Sequence, residues 1–496
     1  MSAWPAHPVV YEINTAAWLH DVSGRAGIAT TLADVPSGEW DLVTPDGVDA
    51  VWLMGVWERS PAGVRLALDT PEQVVSFRAA LADLTEADVI GSAYCVRRYG
   101  VDARFGGRDG LAAARAALAE RGVRLLVDFV PNHVAPDHPW LTDHPEYFVR
   151  GDADDLARDP AGFLAVRDAV IARGRDPFFP PWPDVAQLDA FAPALRRTAA
   201  DALVDIGRQA DGVRCDMAML LLNDVFTRTW GERVGPAPEQ EYWDEVIGTV
   251  RAVHPDFLFA AEAYWDREWD LQQLGFDHCY DKRLYDRLLH EGPNDVRGHL
   301  HADIAYQRRL VRFIENHDEP RAAHELEPAR ERAAAVVVAT LPGTALWHEG
   351  QFEGWRVRLP VFLARRPVEP VDEDLRRFHL DLLAATTPRR RGEWSLCTAT
   401  GWPDDQSCEQ LLTWCWRDDE QRTLVVVNDA GAPAAARVQL PWADIGEGRW
   451  RLDDLLSGDV YERDSAEMAG AGLFVQLPPW GFHVLAWSPV HDGPRA

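Results

Sequence analysis

Short apolar runs recur along the chain, and many of them end in polar or charged side chains. They fall at residues 9–13, 50–56, 124–130, 212–215, 257–261, 276–280, 310–314 and 344–347. Runs this short, bounded by turn residues, suit strands that are buried on both faces of a sheet. Helix-like stretches lie between many of them. Residues 109–121 (DGLAAARAALAER) are the clearest case. Asp109 stands where it can cap, Ala and Leu favour helix, and Gly122 can end it. Eight strands alternating with helices predict an α/β fold, a (β/α)8 TIM barrel. The sixth run is the least marked.

The alternation breaks twice. Between the third and fourth runs the chain detours through roughly residues 133–194, rich in Pro, Asp and aromatics (APDHPWLTDHPEYF, then RGRDPFFPPWPDVAQLD). A detour that long is a functional loop or a small subdomain. After about Arg391, alternating segments such as 423–427 and 472–477 are separated by Gly-, Pro- and Asp-rich turns, which reads as an all-β domain. The expected division is a barrel over residues 1–133 and 195–391, an inserted domain over 134–194, and a C-terminal β-sandwich over 392–496. No internal repeat is present.

Catalytic groups of such a barrel sit at the carboxyl ends of its strands. Ionisable clusters occupy that position on four separate runs. The third ends Asp128-Phe-Val-Pro-Asn132-His133, and the fourth Gly212-Val-Arg214-Cys-Asp216. The fifth ends Ala-Ala-Glu262-Ala-Tyr264-Trp265, and the seventh Glu315-Asn316-His317-Asp318-Glu319. Each alone reads equally well as an ordinary polar strand end or cap; four in barrel order point to one pocket. Cleavage of a glycoside needs one ionised carboxylate and one protonated carboxyl group. Strand alternation puts Arg214 and Asp216 on one face, where the guanidinium would hold Asp216 ionised. Glu262 lies between alanines and ahead of two aromatics, and desolvation there would raise its pKa, as an acid catalyst requires.

Composition narrows the partners. A formal net charge of -29, from 50 Lys+Arg against 79 Asp+Glu, repels polyphosphate, so nucleic acid is not an expected partner. A neutral sugar is indifferent to that charge. The opening residues lack the cationic and apolar order of a secretory signal, and no apolar run approaches the roughly 18 residues of a membrane span. The six cysteines are scattered without Cys-x-x-Cys spacing and read as buried free thiols. A cytoplasmic protein without membrane attachment is expected. Some of the 21 Trp would serve sugar stacking rather than the core.

The four clusters, in this order, resemble the motifs of the α-amylase family, glycoside hydrolase family 13. DFVPNH is similar to its first motif, GVRCD to its second, the isolated Glu of FAAEAYW to its third and ENHD to its fourth. WPDVAQLD at 182–189 resembles the motif near the end of the family's inserted domain. GSAYCVRRYGVDARFGG at 91–107 resembles the segment leading into the helix before the third strand, and LPGTALWHEGQ at 341–351 the eighth strand. The resemblance covers about residues 8–350. It implies Asp216 as nucleophile, Glu262 as general acid/base and Asp318 as transition-state stabiliser. It further implies that Arg214 orients Asp216, that His133 and His317 bind sugar hydroxyls, that Tyr94 is a stacking platform and that Asp128 supports the pocket.

Two departures stand out. The second motif continues Met217-Ala218-Met219 without the Lys-His pair of many starch-degrading members, so a long-chain acceptor site is not carried over. The eighth-strand segment runs on into Arg356 and Arg358, read as a solvated or salt-bridged face in preference to an anion site. The chemistry requires no cofactor or catalytic metal, and a structural calcium supported by Asn132 stays open. Three functions remain: hydrolysis of α-glucosides or malto-oligosaccharides, transfer of the glycosyl unit to a sugar or phosphate, or a catalytically silent barrel. An oligosaccharide or disaccharide is the expected substrate; the oligomeric state is left open.

Overall fold

The computed structural model of the chain describes residues 4–490. Residues 1–3 and 491–496, the outer ends of the expected barrel and C-terminal domain, lie outside the described residues. Eight parallel strands close a barrel: Val9–Asn14, Ala50–Met54, Arg124–Phe129, Gly212–Cys215, Leu258–Ala261, His278–Tyr280, Leu310–Arg312 and Thr344–His348. Round the barrel the order is first, eighth, seventh, sixth, fifth, fourth, third, second. The closing pair sets Val9 beside Ala345 and Tyr11 beside Trp347. Every residue of these strands is buried, which is why they read as continuous apolar runs without alternation.

The expected strands hold, with altered ends. The sixth shrinks to three residues because Asp277 turns the chain: its carboxylate accepts the Phe259 N–H at 2.8 Å and pairs with Arg251. The seventh stops at Arg312, and Phe313 onward leaves the sheet for the barrel mouth. Arg312 is fully buried, where it pairs with Asp281 and Gln307. The helix expected at 109–121 spans Gly107–Glu120 with Gly106 at its N-cap, so Asp109 lies inside its first turn rather than capping it. There the carboxylate still faces the positive helix end. Gly122 takes a left-handed φ of 74°, as a terminating glycine does.

Within residues 133–194, His133–Val134 pairs antiparallel with Ala186–Gln187, and a small sheet joins Arg150–Gly151, Ala169–Ala172 and Phe163–Val166. This segment has its own apolar cluster around Val134, Phe148, Ile171 and Leu188. A second excursion, not marked by the run pattern, follows the second strand. Trp57–Arg59 pairs with Val96–Val101, and the helices Pro61–Asp69 and Pro71–Ala80 lie between them.

Beyond Arg391 the chain forms a six-stranded and a three-stranded antiparallel sheet around a separate apolar cluster. An α-helix that interrupts them, Ser465–Gly470, is capped by Asp464. All six cysteines are unpaired; five are buried and Cys397 is half-buried. Among the described residues no helix is long and apolar enough to cross a membrane.

Trp416 joins the C-terminal sheets to the barrel. Its indole N–H donates to Thr340 O at 2.7 Å, and its ring meets His7 edge-on at 5.0 Å. Trp416→Ala should cost about 3–5 kcal/mol, the scale of a buried Trp truncation. Denaturant unfolding should show it as a lower midpoint; an unchanged midpoint would mean that this contact does not couple the two parts.

Candidate active site

The fourth strand ends at Cys215, and Asp216 and Met217 turn out of the sheet at the barrel mouth. Met217 adopts φ 43° and ψ 44°, a left-handed conformation that costs a non-glycine residue about 1–3 kcal/mol. The strained turn aims the Met217 N–H at Glu262, which accepts it at 2.6 Å. Tyr264 donates its hydroxyl to the other oxygen of Glu262 at 3.0 Å. Arg214, 1% exposed, lies beneath the carboxylates with its Nη1 2.6 Å from Asp216, and its Nη2 2.8 Å from Glu262 and 3.8 Å from Asp318. The four residues taken from three different runs therefore meet at one point. Asp216, Glu262, Asp318, Tyr94 and His133 line one cavity of about 420 Å³.

The guanidinium does not belong to Asp216 alone. Burial pushes the Asp216 carboxyl above the usual carboxylate range, and Arg214 opposes that rise without cancelling it. The expectation that Arg214 simply holds Asp216 ionised is corrected: one cation is divided among three anions. Glu262 is pushed up to about 7, first by burial and then by the negative charge of Asp216 and Asp318, against the pull of Arg214. Burial also acts on Asp318, yet His317 and Arg214 outweigh it and bring that carboxyl down to about 2. Asp318 is the open member of the set, its side chain 44% exposed, so water screens part of that pull.

His317 is the second cation. Its Nε2 lies 3.0 Å from Asp318 and 2.7 Å from the Tyr94 hydroxyl, while its Nδ1 lies 2.5 Å from Glu12. Burial disfavours the charge, but Asp318 and Glu12 raise His317 well above the ordinary imidazole range. Tyr94 stacks on His317 with centroids 5.2 Å apart and also faces Arg214. Burial pushes His133 down to about 4, so it faces the cavity as a neutral ring, edge-on to Trp182. Asp128 stands under the cavity, fully buried. It accepts the Gly55 N–H at 2.7 Å, and burial raises it to about 6.

Glu12 was missed in the sequence because a single acid inside the run VVYEIN looks like a strand imperfection; its full burial in the first strand is what marks it. Gln73, Ser92, Trp182, Asp184 and Phe362 also line the cavity. The surroundings of Asn132 do not fit a calcium cage. Its Oδ1 accepts the Gln187 amide at 2.9 Å, and its own amide faces His133 and Gln187. Among the described residues no cluster of three or more His, Cys, Asp or Glu is arranged to hold a metal ion. Arg356 and Arg358 rest on the backbone carbonyls of Ala323 and Asp318, the latter at 2.6 Å, rather than on carboxylates.

An eight-stranded parallel barrel, an inserted segment after the third strand and a C-terminal pair of β-sheets define the α-amylase class of fold. No family model matches the chain. It is 25% identical over 473 residues to the α-amylase MalA of Haloarcula japonica, covering 92% of this chain and 59% of that protein. Over 203 residues it is 28% identical to the α-1,4-glucan:maltose-1-phosphate maltosyltransferase of Burkholderia pseudomallei, covering 39% and 15% of the two. The maltogenic α-amylase AmyB of Thermotoga neapolitana superposes with a TM-score of 0.69 at 17% identity, covering 98% of this chain and 99% of that one. The chain thus spans about three-fifths of the length of MalA. In sequence the chain is similar to α-amylases and maltosyltransferases, and its fold is that of the α-amylases.

Glu12→Gln should move the His317 titration, followed by nitrogen-15 NMR, to lower pH. An unmoved titration would remove Glu12 from the account. The sign of the linked stability follows from the raised pKa. The stabilisation from His317 is complete below the unfolded value near 6.5 and is lost as pH rises through the folded value. The variant should therefore be most destabilised relative to wild type at the acid end of that window.

Proposed function

We propose that the chain is a retaining glycosidase acting on α-glucosides or malto-oligosaccharides by double displacement. Asp216 attacks the anomeric carbon while Glu262 gives its proton to the leaving oxygen, and a β-glycosyl-enzyme forms. Glu262, now ionised, takes a proton from the incoming water, which displaces Asp216 and restores the α configuration. Asp318 and His133 would hold hydroxyls of the sugar at the cleavage point, His317 and Arg214 would fix the two aspartates, and Tyr94 would supply a flat face. Asp128 would support the pocket from below. No step needs a metal or a cofactor.

A single observation carries this reading: around one guanidinium, Glu262 is pushed up to about 7 while Asp318 is drawn down to about 2. Glu262 therefore keeps a proton to give near neutral pH while Asp318 beside it stays ionised, and a glycosidase must arrange a proton-donating carboxyl group among carboxylates of this kind. The presence of all three acids argues against a silent barrel. Transfer to a sugar hydroxyl is the second reading. Trp265, three residues past Glu262, packs edge-on against Phe178 of the inserted segment at 4.8 Å, giving the acceptor side an aromatic lip that sheds water and can stack a sugar. We propose the barrel, the 134–194 insertion and the 392–496 β-domain as the units of this enzyme, and the cytoplasm as its location, where six unpaired thiols are at home.

Anomer-resolved NMR of malto-oligosaccharide digestion, with and without added glucose as acceptor, tests the reading. The first product should be the α-anomer, and an initial β-anomer would sink the nucleophile assignment. Asp216→Asn and Glu262→Gln should each lower turnover by roughly three orders of magnitude or more with thermal unfolding unchanged. Activity in kcat/KM should fall as pH rises through about 7, where Glu262 loses its proton. It should fall again on the acid side, where Asp216 gains one. A profile flat across pH 7 would remove Glu262 as the acid.

A further inference from the structure

Among the residues from outside the barrel that line the cavity holding Asp216 and Glu262 are Gln73 and Phe362. Gln73 lies in the helix Pro71–Ala80 of the excursion after the second strand, and Phe362 in the loop after the eighth. In the closed barrel the second and eighth strands flank the first, and that trio faces the fifth strand across the mouth. Glu262 stands at the end of the fifth strand. Wall and acid are therefore on opposite sides of the pocket. An acid catalyst must stand beside the leaving oxygen, so the leaving part of a donor departs past Glu262, by Met217 and Tyr264. The glycone points the other way, at the wall.

The wall is tied together at several points. Phe362 O accepts the Ile90 N–H at 2.9 Å, and Val361 O accepts the Ala93 N–H at 3.3 Å. The buried guanidinium of Arg59 donates to Val361 O at 2.9 Å and to Gly91 O at 2.7 Å, stapling the two segments. Arg365 grips Asp88 through two bonds of 2.6 and 3.0 Å, a bidentate pair with fixed geometry. The Phe362 ring lies 5.3 Å from Phe77 and packs against an apolar cluster that includes Leu359 and Leu363. A close-packed, doubly stapled wall is not a side that swings away for a passing chain. On it, the Gln73 Oε1 is buried without a hydrogen-bond partner in the protein. A buried acceptor left without a donor is costly, and the half-buried Gln73 side chain, by turning its amide into the cavity it lines, would find that donor in a terminal sugar hydroxyl.

We infer that this wall caps the glycone side, so that the enzyme takes its glycosyl unit from the free non-reducing end of a short or linear donor and does not cut within a polysaccharide. The inference rests on the glycosidase reading above. It gives Gln73 and Phe362 a role in specificity: Gln73 receives a hydroxyl of the terminal sugar, and Phe362 closes the space beyond it.

The test compares 4-nitrophenyl maltoheptaoside with its counterpart carrying an ethylidene acetal on the non-reducing end, by chromatography of the nitrophenyl fragments. The full chain should cleave the free substrate at least about 100-fold faster than the blocked one, the discrimination a closed pocket gives. Its first fragments should be shortened from the non-reducing end. The double variant Gln73→Ala with Phe362→Ala, shown folded by its thermal transition, should narrow that ratio by about 10-fold or more. Equal rates on both substrates, with internal cleavage, would overturn the cap and leave the glycosidase reading standing. Wild-type discrimination left untouched in the folded double variant would overturn the assignment to these residues. Absence of turnover on both substrates and on 4-nitrophenyl α-glucoside would overturn the glycosidase reading and the cap together.

Discussion

A guanidinium taken out of water is tolerated only where anions surround it closely, and the desolvation of each ion costs several kcal/mol before any attraction is counted. Arg214 meets that condition by touching the carboxylates that end the fourth and fifth strands and approaching that of the seventh. The dependence runs both ways. Without Arg214, Asp216 and Glu262 would lose the main charge that opposes their protonation; without the acids, the arginine would have no place in a barrel of valine, leucine and alanine. The surrounding geometry serves this balance. Tyr94, Trp52 and Tyr280 turn ring faces toward the guanidinium at 5.2 to 5.6 Å, adding attraction from neutral groups. The second cation, His317, is bracketed in the same manner by Glu12 and Asp318.

The barrel was legible because strands buried on both faces leave an unambiguous trace, and the catalytic candidates because polar groups at the ends of such strands stand out from their runs. The two-residue spacing of Arg214 and Asp216 correctly put them side by side. It gave no hint that Glu262 shares the same guanidinium, since that contact depends on the register between neighbouring strands, Arg214 beside Ala260, and on the strained turn at Met217. Glu12 was hidden for a related reason. A solitary acid in a strand is meaningful only when its partner is known, and that partner lies 305 residues further along the chain.

The excursion over residues 57–101 left a weaker trace still. Its helices are short and only partly buried, and their apolar residues pack against the loop after the eighth strand in a cluster separate from the barrel core. Periodicity within either segment therefore carries little of the pattern that their union completes. The buried Arg59 and the pair of Arg365 with Asp88 replace, in this region, the continuous apolar seam by which the barrel strands announce themselves.

The bond between Glu12 and His317 spans 305 residues of sequence, and the first strand pairs with the eighth to close the cylinder. Contacts between such distant parts of a chain form late, after the entropy of closing a long loop has been met. The acids of the fourth and fifth strands can meet Arg214 as soon as neighbouring strands align, but the imidazolium that flanks Asp318 is anchored only when the two ends of the cylinder join. Chemical competence is in this sense the last event of folding: a half-assembled chain, still open between its first and eighth strands, holds its carboxylates without the full set of charges that divides their protons.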